Sequence, residues 1–249
     1  MKKLIVGNWK MYPKTAREAA AIFKAVYKGA HARTQVVVAA PFVYLALLRS
    51  SRTVSLGAQN IFWEPEGAFT GEVSGTMLRS LGVRYVIVGH SERRRELGET
   101  DKMIAQKVSA VLKAKLTPIL CVGEEVRDAD GKFFSTLKQQ IRIAFSGVKR
   151  AQVAHMVVAY EPVWAVGVGK KPASPKDAAE AALFIKKVVA EFAGAMAAKR
   201  MRILYGGSVN AKDASGFLAE REISGLLVGR ESRNPKEFLK IVACASPRL

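Results

Sequence analysis

The chain predicts an α/β fold: eight parallel strands, each followed by helical sequence, closed into a (β/α)8 barrel. Three observations lead there. Short β-rich apolar runs alternate with helical patterns eight times along 249 residues, and about 250 residues is the usual span of such a barrel. The runs are apolar rather than cleanly alternating, as strands buried on both faces are. A doubly wound open sheet, the runner-up, wants a glycine-rich phosphate turn after its first strand, and Gly7-Asn8-Trp9-Lys10 has no GxGxxG spacing. No linker or low-complexity stretch is evident, so residues 1–249 read as one domain.

In order, Leu4 to Trp9 reads as the first strand, and Thr15-Ala16-Arg17-Glu18 is a capping box opening a helix to about Lys28. Val36 to Ala40 is the second strand, followed by a short helix from Phe42 to Arg49, and Val54 to Asn60 is the third. A polar, glycine-bearing excursion, Ile61 to Gly75, comes next. Arg84 to Gly89 is the fourth strand, with a helix start near Ser91 and a further helix from about Asp101 to Ala114. Pro118 to Val122 is the fifth, its proline at the first residue, where a strand tolerates it. Phe133 to Phe145 is helical and His155 to Tyr160 is the sixth strand. Ser174-Pro175-Lys176-Asp177 supplies an N-cap, a first-turn proline and a first-turn acid for a helix to about Ala198. Met201 to Tyr205 is the seventh strand, Asn210 caps the next helix, Ile223 to Val228 is the eighth strand, and Asn234-Pro235-Lys236-Glu237 opens the last helix.

Composition narrows the class. At 49% hydrophobic the chain buries a sizeable core. No secretory h-region is visible after Lys2-Lys3, and the longest apolar run, Val36 to Leu48, is cut by Pro41, short of the roughly 20 residues a membrane helix needs. Two cysteines, Cys121 and Cys244, make neither a disulfide framework nor a metal-ligand spacing. A soluble cytoplasmic protein is the expectation. Forty Lys+Arg against 21 Asp+Glu give a net charge of +19, which draws anions. The basic residues are spread along the chain with no aromatic-interleaved stripe, so neither a specific nucleic-acid partner nor a membrane is expected.

Ala159 to Lys171, AYEPVWAVGVGKK, organises the site. Glu161 stands where the sixth strand stops, and Pro162 restricts its backbone to extended geometry. Gly167 and Gly169 follow, on a segment able to close over a ligand. In a barrel, chemistry sits at the carboxyl ends of the strands. That rim gathers Asn8 and Lys10 from the first strand, His90, Ser91 and Glu92 from the fourth, and Glu161 from the sixth. Gly206-Gly207-Ser208 follows the seventh, and Gly229-Arg230 the eighth. Glu161 can take a proton from carbon, and a neutral His90 can donate to a developing enolate oxygen. Lys10 and Asn8 add positive charge and an amide donor. Glu92 can pair with Lys10, and a helix start near Ser91 favours the uncharged ring. The glycine turns can bring backbone N–H groups to a phosphate. Taken singly, each has a plainer reading: a buried histidine, a solvated lysine, two tight turns.

These residues sit in motifs that resemble the triosephosphate isomerase family over essentially the whole chain. The motifs are NWKM at 8–11, QN at 59–60, GAFTGEVS at 67–74, VGHSERR at 88–94, CVGE at 121–124, AYEPVWAVGVGK at 159–170 and YGGSVN at 205–210. The resemblance implies the (β/α)8 TIM barrel. It also implies interconversion of dihydroxyacetone phosphate and D-glyceraldehyde 3-phosphate, in glycolysis and gluconeogenesis, without cofactor or metal. Glu161 is then the base, His90 the electrophile, and Lys10 and Asn8 stabilise charge. Gly167, Ser208, Gly229 and Arg230 hold the substrate phosphate; Ser91, Glu92 and Cys121 support. The resemblance further implies a homodimer through the Gln59 to Glu72 loop, with Thr70 near the partner's active site and Glu72 and Arg93 forming an intersubunit ion pair. The aromatics Phe62, Trp63 and Phe69 on that loop fit an interface.

Three departures accompany the resemblance. Arg230 and Glu231 stand where the family usually has glycine and alanine, and a positive φ at Arg230 would cost roughly 1 kcal/mol. Val168 replaces a threonine, and Lys170-Lys171-Pro172-Ala173 is one residue longer than the usual hinge.

Overall fold

A computed structural model describes residues 2–128, 130–165 and 172–245. Its strands are β1 Leu4–Asn8, β2 Gln35–Ala40, β3 Val54–Ala58, β4 Val83–Val88, β5 Thr117–Val122, β6 Val157–Tyr160, β7 Arg202–Tyr205 and β8 Gly225–Val228. They pair in parallel in sequence order, and β1 closes on β8. Leu4 meets Gly225 and Gly7 meets Val228 at that seam. The helices are α1 Ala16–Gly29, α2 Phe42–Leu45, α3 Gly75–Ser80, α4 Ser91–Leu97, α5 Asp101–Lys113, α6 Phe133–Ala144, α7 Arg150–Val153, α8 Pro175–Ala193, α9 Ala195–Arg200, α10 Ala214–Ala219 and α11 Pro235–Cys244.

Each strand is apolar on both faces because each face has its own core. Leu4, Val6, Val37, Ala39, Tyr85, Ile87, Ile119, Cys121, Val157, Ala159, Leu204 and Leu227 form one buried cluster, drawn from strands alone. The residues between them, such as Ile5, Val38, Val86 and Leu226, pack with the helices in a second, larger cluster. The first is therefore the barrel interior, the second the layer between strands and helices. In α1, Ala19, Ile22, Phe23 and Val26 make the stripe that faces it.

Alternation with period two carries the inward set to the carboxyl mouth of the barrel. Continuing 4, 6 gives Asn8; continuing 157, 159 gives Glu161; 204 leads to Gly206 and 227 to Gly229. Asn8, Glu161, Gly206 and Gly229 are thus the next inward positions after core residues, whereas His90 is out of phase with Tyr85 and Ile87, since Gly89 takes the inward place there.

Side chains cap the helices where the sequence predicts, although the box expected at Thr15 is made from one side only. Thr15 Oγ1 accepts from the Glu18 N–H at 3.2 Å, and Ser174 and Asp177 exchange bonds reciprocally. Asn234 Oδ1 accepts from Lys236 and Glu237, but Glu237 turns to Lys240 instead of closing the box. Elsewhere the structure departs from expectation. The helix after Ser174 breaks at Gly194, whose φ of +89° no helix allows, so α8 and α9 replace one helix. The helix after Phe42 ends at Leu45. Pro118 is the second residue of β5, which begins at Thr117. Asn210 opens a three-residue turn held by Asp213, and α10 starts only at Ala214. The excursion ends in an unexpected helix, α3, capped by Ser74. Among the described residues no helix is long and apolar enough to cross a membrane.

Candidate active site

Gly89 follows β4 with φ +74°, a left-handed turn glycine adopts without strain, and delivers His90 to the N-cap of α4. His90 is buried. Its Nδ1 accepts from the Glu92 N–H at 3.2 Å, which leaves that nitrogen unprotonated in this arrangement. The ring proton therefore sits on Nε2, 3.2 Å from Glu161 Oε1. Helix geometry fixes both the tautomer and the direction in which the imidazole donates.

Glu161 is 3% exposed, so its carboxylate needs partners. Oε2 accepts from the Ser91 N–H at 2.9 Å, and Oε1 faces His90. The Cys121 thiol also hydrogen-bonds it; burial first, and then the Glu161 charge, push that thiol well above its ordinary pKa. The Glu161 N–H donates to Val122 O at 2.8 Å. Glu124 secures the chain just beyond: Oε1 accepts from Tyr160 Oη at 2.7 Å and Trp164 Nε1 at 2.8 Å.

Lys10 holds a left-handed conformation, φ 54°, unusual for a side chain of this size. Two bonds maintain it. Its N–H donates to Asn8 Oδ1 at 3.0 Å, and its carbonyl accepts from Gln59 Nε2 at 2.9 Å. Gln59 reaches across from the end of β3, a role not legible in the QN motif. The Lys10 ammonium pairs with Glu92. Burial raises the Glu92 carboxyl, but the hydrogen bond and charge of Lys10, with lesser help from His90, outweigh it and leave the group below its ordinary value. Asn8, His90, Ser91, Glu92, Cys121, Glu161 and Lys10 are thereby one connected cluster.

Gly229 faces this cluster: a Cβ built on it would lie 3.4 Å from Lys10 Cε. Arg230 begins a 3-10 turn, Arg230–Arg233, and is not among the positive-φ residues, so the strain considered for arginine there is absent. Ser232 locks that turn to β1, its Oγ donating to Gly229 O at 2.7 Å and Asn8 O at 3.2 Å. Ser208 is exposed on the turn after β7. Gly167 lies outside the described residues, as do Val168, Lys170 and Lys171.

Thr70 and Glu72 lie apart from the cluster, exposed on the excursion. Phe62 packs against Trp63 and Phe69 with tilted rings, the centroids 4.2 and 4.7 Å apart. Arg93 Nε donates within its own chain, to Glu99 at 2.5 Å. Buried Lys107 joins Glu99 and Asn60 at the root of that loop, a cluster that sequence reasoning missed. Among the described residues no group of three or more His, Cys, Asp or Glu is placed to hold a metal ion.

The sequence profile described as Triosephosphate isomerase matches residues 3–245. The triosephosphate isomerase of Citrifermentans bemidjiense is 44% identical over 248 residues, spanning 97% of this chain and 98% of that protein. Those of Caldanaerobacter subterraneus subsp. tengcongensis and Moorella thermoacetica are each 43% identical, over 245 and 247 residues, with the same coverage.

Proposed function

The chain belongs to the triosephosphate isomerase family and interconverts dihydroxyacetone phosphate and D-glyceraldehyde 3-phosphate, and we propose that Glu161 and His90 do the chemistry. The observation that carries this is the Glu161 carboxylate lying 3.2 Å from a histidine nitrogen whose tautomer is fixed as the donor, with Lys10 in the same cluster.

Glu161 takes a proton from the carbon beside the carbonyl. The C–H electrons form the C=C bond and the carbonyl electrons move to oxygen, giving an enediolate. The Nε2–H of His90 and the Lys10 ammonium stabilise that oxygen, and His90 passes a proton between the two oxygens. Glu161 returns its proton at the neighbouring carbon, which balances the isomerisation without net gain or loss. A neutral ring suits this work: it gives a proton at Nε2 and regains one there, while Nδ1 stays occupied by the Glu92 N–H. Glu161 must leave the Ser91 N–H to reach carbon. Ser208, Gly229 and Arg230, with Gly167, hold the phosphate, and Asn8, Ser91, Glu92 and Cys121 keep the reacting groups in place.

The same reading makes residues 1–249 one catalytic barrel that works as a cytoplasmic homodimer. Two free thiols suit a reducing compartment. Exposed Met11, Val43, Leu47, Met77 and Leu97 all come from the first half of the chain, as does Phe69 on the loop that carries Thr70 and Glu72. Such a set of apolar side chains is what a partner copy would cover.

Glu161→Asp tests the central role. It withdraws the carboxylate by roughly 1.5 Å, and at about 10² per ångström of misplacement kcat falls by about 10² to 10³. The far-ultraviolet circular dichroism stays that of the parent protein. A variant that turns over D-glyceraldehyde 3-phosphate as fast as the parent removes Glu161 from the reaction.

A further inference from the structure

The phosphate-binding turn after β8 is tied twice to the segment after β1. The inner tie is Ser232 Oγ, which is buried and donates to Asn8 O. The outer tie is Arg233, whose guanidinium carbon lies 4.0 Å over the centre of the Tyr12 ring. Arg233 also closes its own turn, Nε donating to Arg230 O at 3.3 Å. Between the two anchor points on the first segment, at 8 and 12, stands Lys10, and between those on the second and the end of β8 stand Gly229 and Arg230. Lys10 Cε lies against Gly229. The spacing of the Lys10 ammonium from the backbone of the turn is therefore set by both ties. Arg233 makes no ion pair among the described residues, and the face of an aromatic ring attracts its charge instead.

From this geometry we propose that Arg233 is a positioning residue for substrate phosphate: stacked on Tyr12, it sets the distance between the Gly229–Arg230 turn and Lys10. The proposal rests on the isomerase reading above, with the turn as its phosphate site. It does not require Arg233 to touch substrate. Three features make the pair suited to the task. The contact joins side chains more than 200 residues apart in sequence, and it holds the outer end of the turn, where the Ser232 tie to Asn8 does not reach. Tyr12 is 45% exposed, so its ring is not locked in the core and needs the stacked cation to hold its place. The turn is a single 3-10 turn, whose poorer hydrogen bonding leaves its position to outside contacts.

The test is Arg233→Leu in the full chain, measured with D-glyceraldehyde 3-phosphate, with inorganic phosphate as inhibitor, and with phosphate-free glyceraldehyde. KM and the inhibition constant of phosphate are expected to rise about twofold to thirtyfold, the range a partly exposed to desolvated cation–π contact commands. kcat holds within about twofold, and kcat/KM for glyceraldehyde is unchanged, since the phosphate turn has nothing to bind there. Tyr12→Leu gives the same pattern, Arg233→Lys recovers part of the loss, and the double variant is no worse than either single one. Unchanged KM and phosphate inhibition overturn the proposal. So does an equal loss on both substrates, or strict additivity of the two variants. Failure of the parent protein to isomerise the phosphate substrate would instead overturn the isomerase reading.

Discussion

Gly206 tests whether the position of Glu161, rather than its mere presence, sets the rate. The residue follows β7, and its N–H donates to Tyr160 O at 2.8 Å. A Cβ placed there would lie 3.0 Å from Glu161 Cγ, 3.3 Å from Tyr160 O and 3.7 Å from Glu161 Oε1. Carbon atoms settle at about 3.5–4.0 Å, so Gly206→Ala leaves the Glu161 side chain short of room by at least about 0.5 Å. The ladder bond to Tyr160 keeps β7 from backing away, and Glu161 is held at its backbone by Val122. The carboxylate is what moves, out of line with His90 Nε2 and Ser91.

At about a hundredfold per ångström, a shift of about half an ångström lowers kcat roughly tenfold. Overpacking costs about 1–3 kcal/mol, or a fall in Tm of roughly 2–12 °C at this chain length. Steady-state kinetics with a dehydrogenase-coupled readout, beside thermal unfolding, measures both. Gly147→Ala is the control, because nothing lies within 4 Å of a Cβ there. A Gly206→Ala protein with kcat within about twofold of the parent would refute the reasoning, since the carboxylate would then tolerate the displacement that the contact demands.

Three further outcomes follow from burial and exposure. Cys121 is wholly buried and its thiol is raised by burial and by Glu161, so the folded chain disfavours the thiolate. A raised acid stabilises the fold below the ordinary thiol pKa, and that contribution is lost as pH climbs above about 8.5; the urea midpoint should fall on that limb, less steeply in Cys121→Ala. Thiol titration with a disulfide reagent should find at most one reactive group per native chain, from partly buried Cys244, and two after unfolding; two in the native protein would count against a sealed Cys121. For the dimer, sedimentation equilibrium at micromolar concentration should return twice the 27.1 kDa chain mass, and Phe69→Lys should shift it toward the monomer; a parent protein that sediments as a monomer removes the interface.

The strands were legible because barrel strands bury both faces and so appear as unbroken apolar runs, whose ends the structure places within a few residues. Helix starts were legible where a side-chain cap is written into the sequence, as at Thr15 and Ser174. The misses have physical causes. Ser74 caps α3 without an acid three residues on, so no capping box announced it. Gly194 stands in an alanine-rich stretch whose helical pattern continues on both sides, and only its φ shows the break. At the site, residue types at strand ends pointed to Asn8, Lys10, His90 and Glu161, because each brings charge or a donor to the same rim. What orients them was hidden: Gln59 on the Lys10 carbonyl, the Glu92 N–H on His90, Arg233 on Tyr12. Those contacts depend on backbone direction and on distances between segments, which residue type does not encode.

The placement of Glu161 shows how far such hidden determinants reach. Gly123, just beyond β5, lies so close to the Glu161 carbonyl that a Cβ there would be 1.8 Å from its oxygen. Gly225 stands in the same relation to Leu4 O at the seam where β8 meets β1. In both places only a residue without a side chain lets neighbouring backbones approach. Gly123 carries a second requirement, because its peptide groups at this crowded point need partners from elsewhere. Gln140 on α6 supplies both, accepting from the Gly123 N–H at 2.9 Å and donating to its carbonyl at 3.0 Å. An exchange between a helix residue and a glycine thus holds the strand end against which the proposed catalytic carboxylate is set. The Glu161 carboxylate, the proposed base, is thus set in place by Gly123, Gly206 and Gln140, none of which bears a charge.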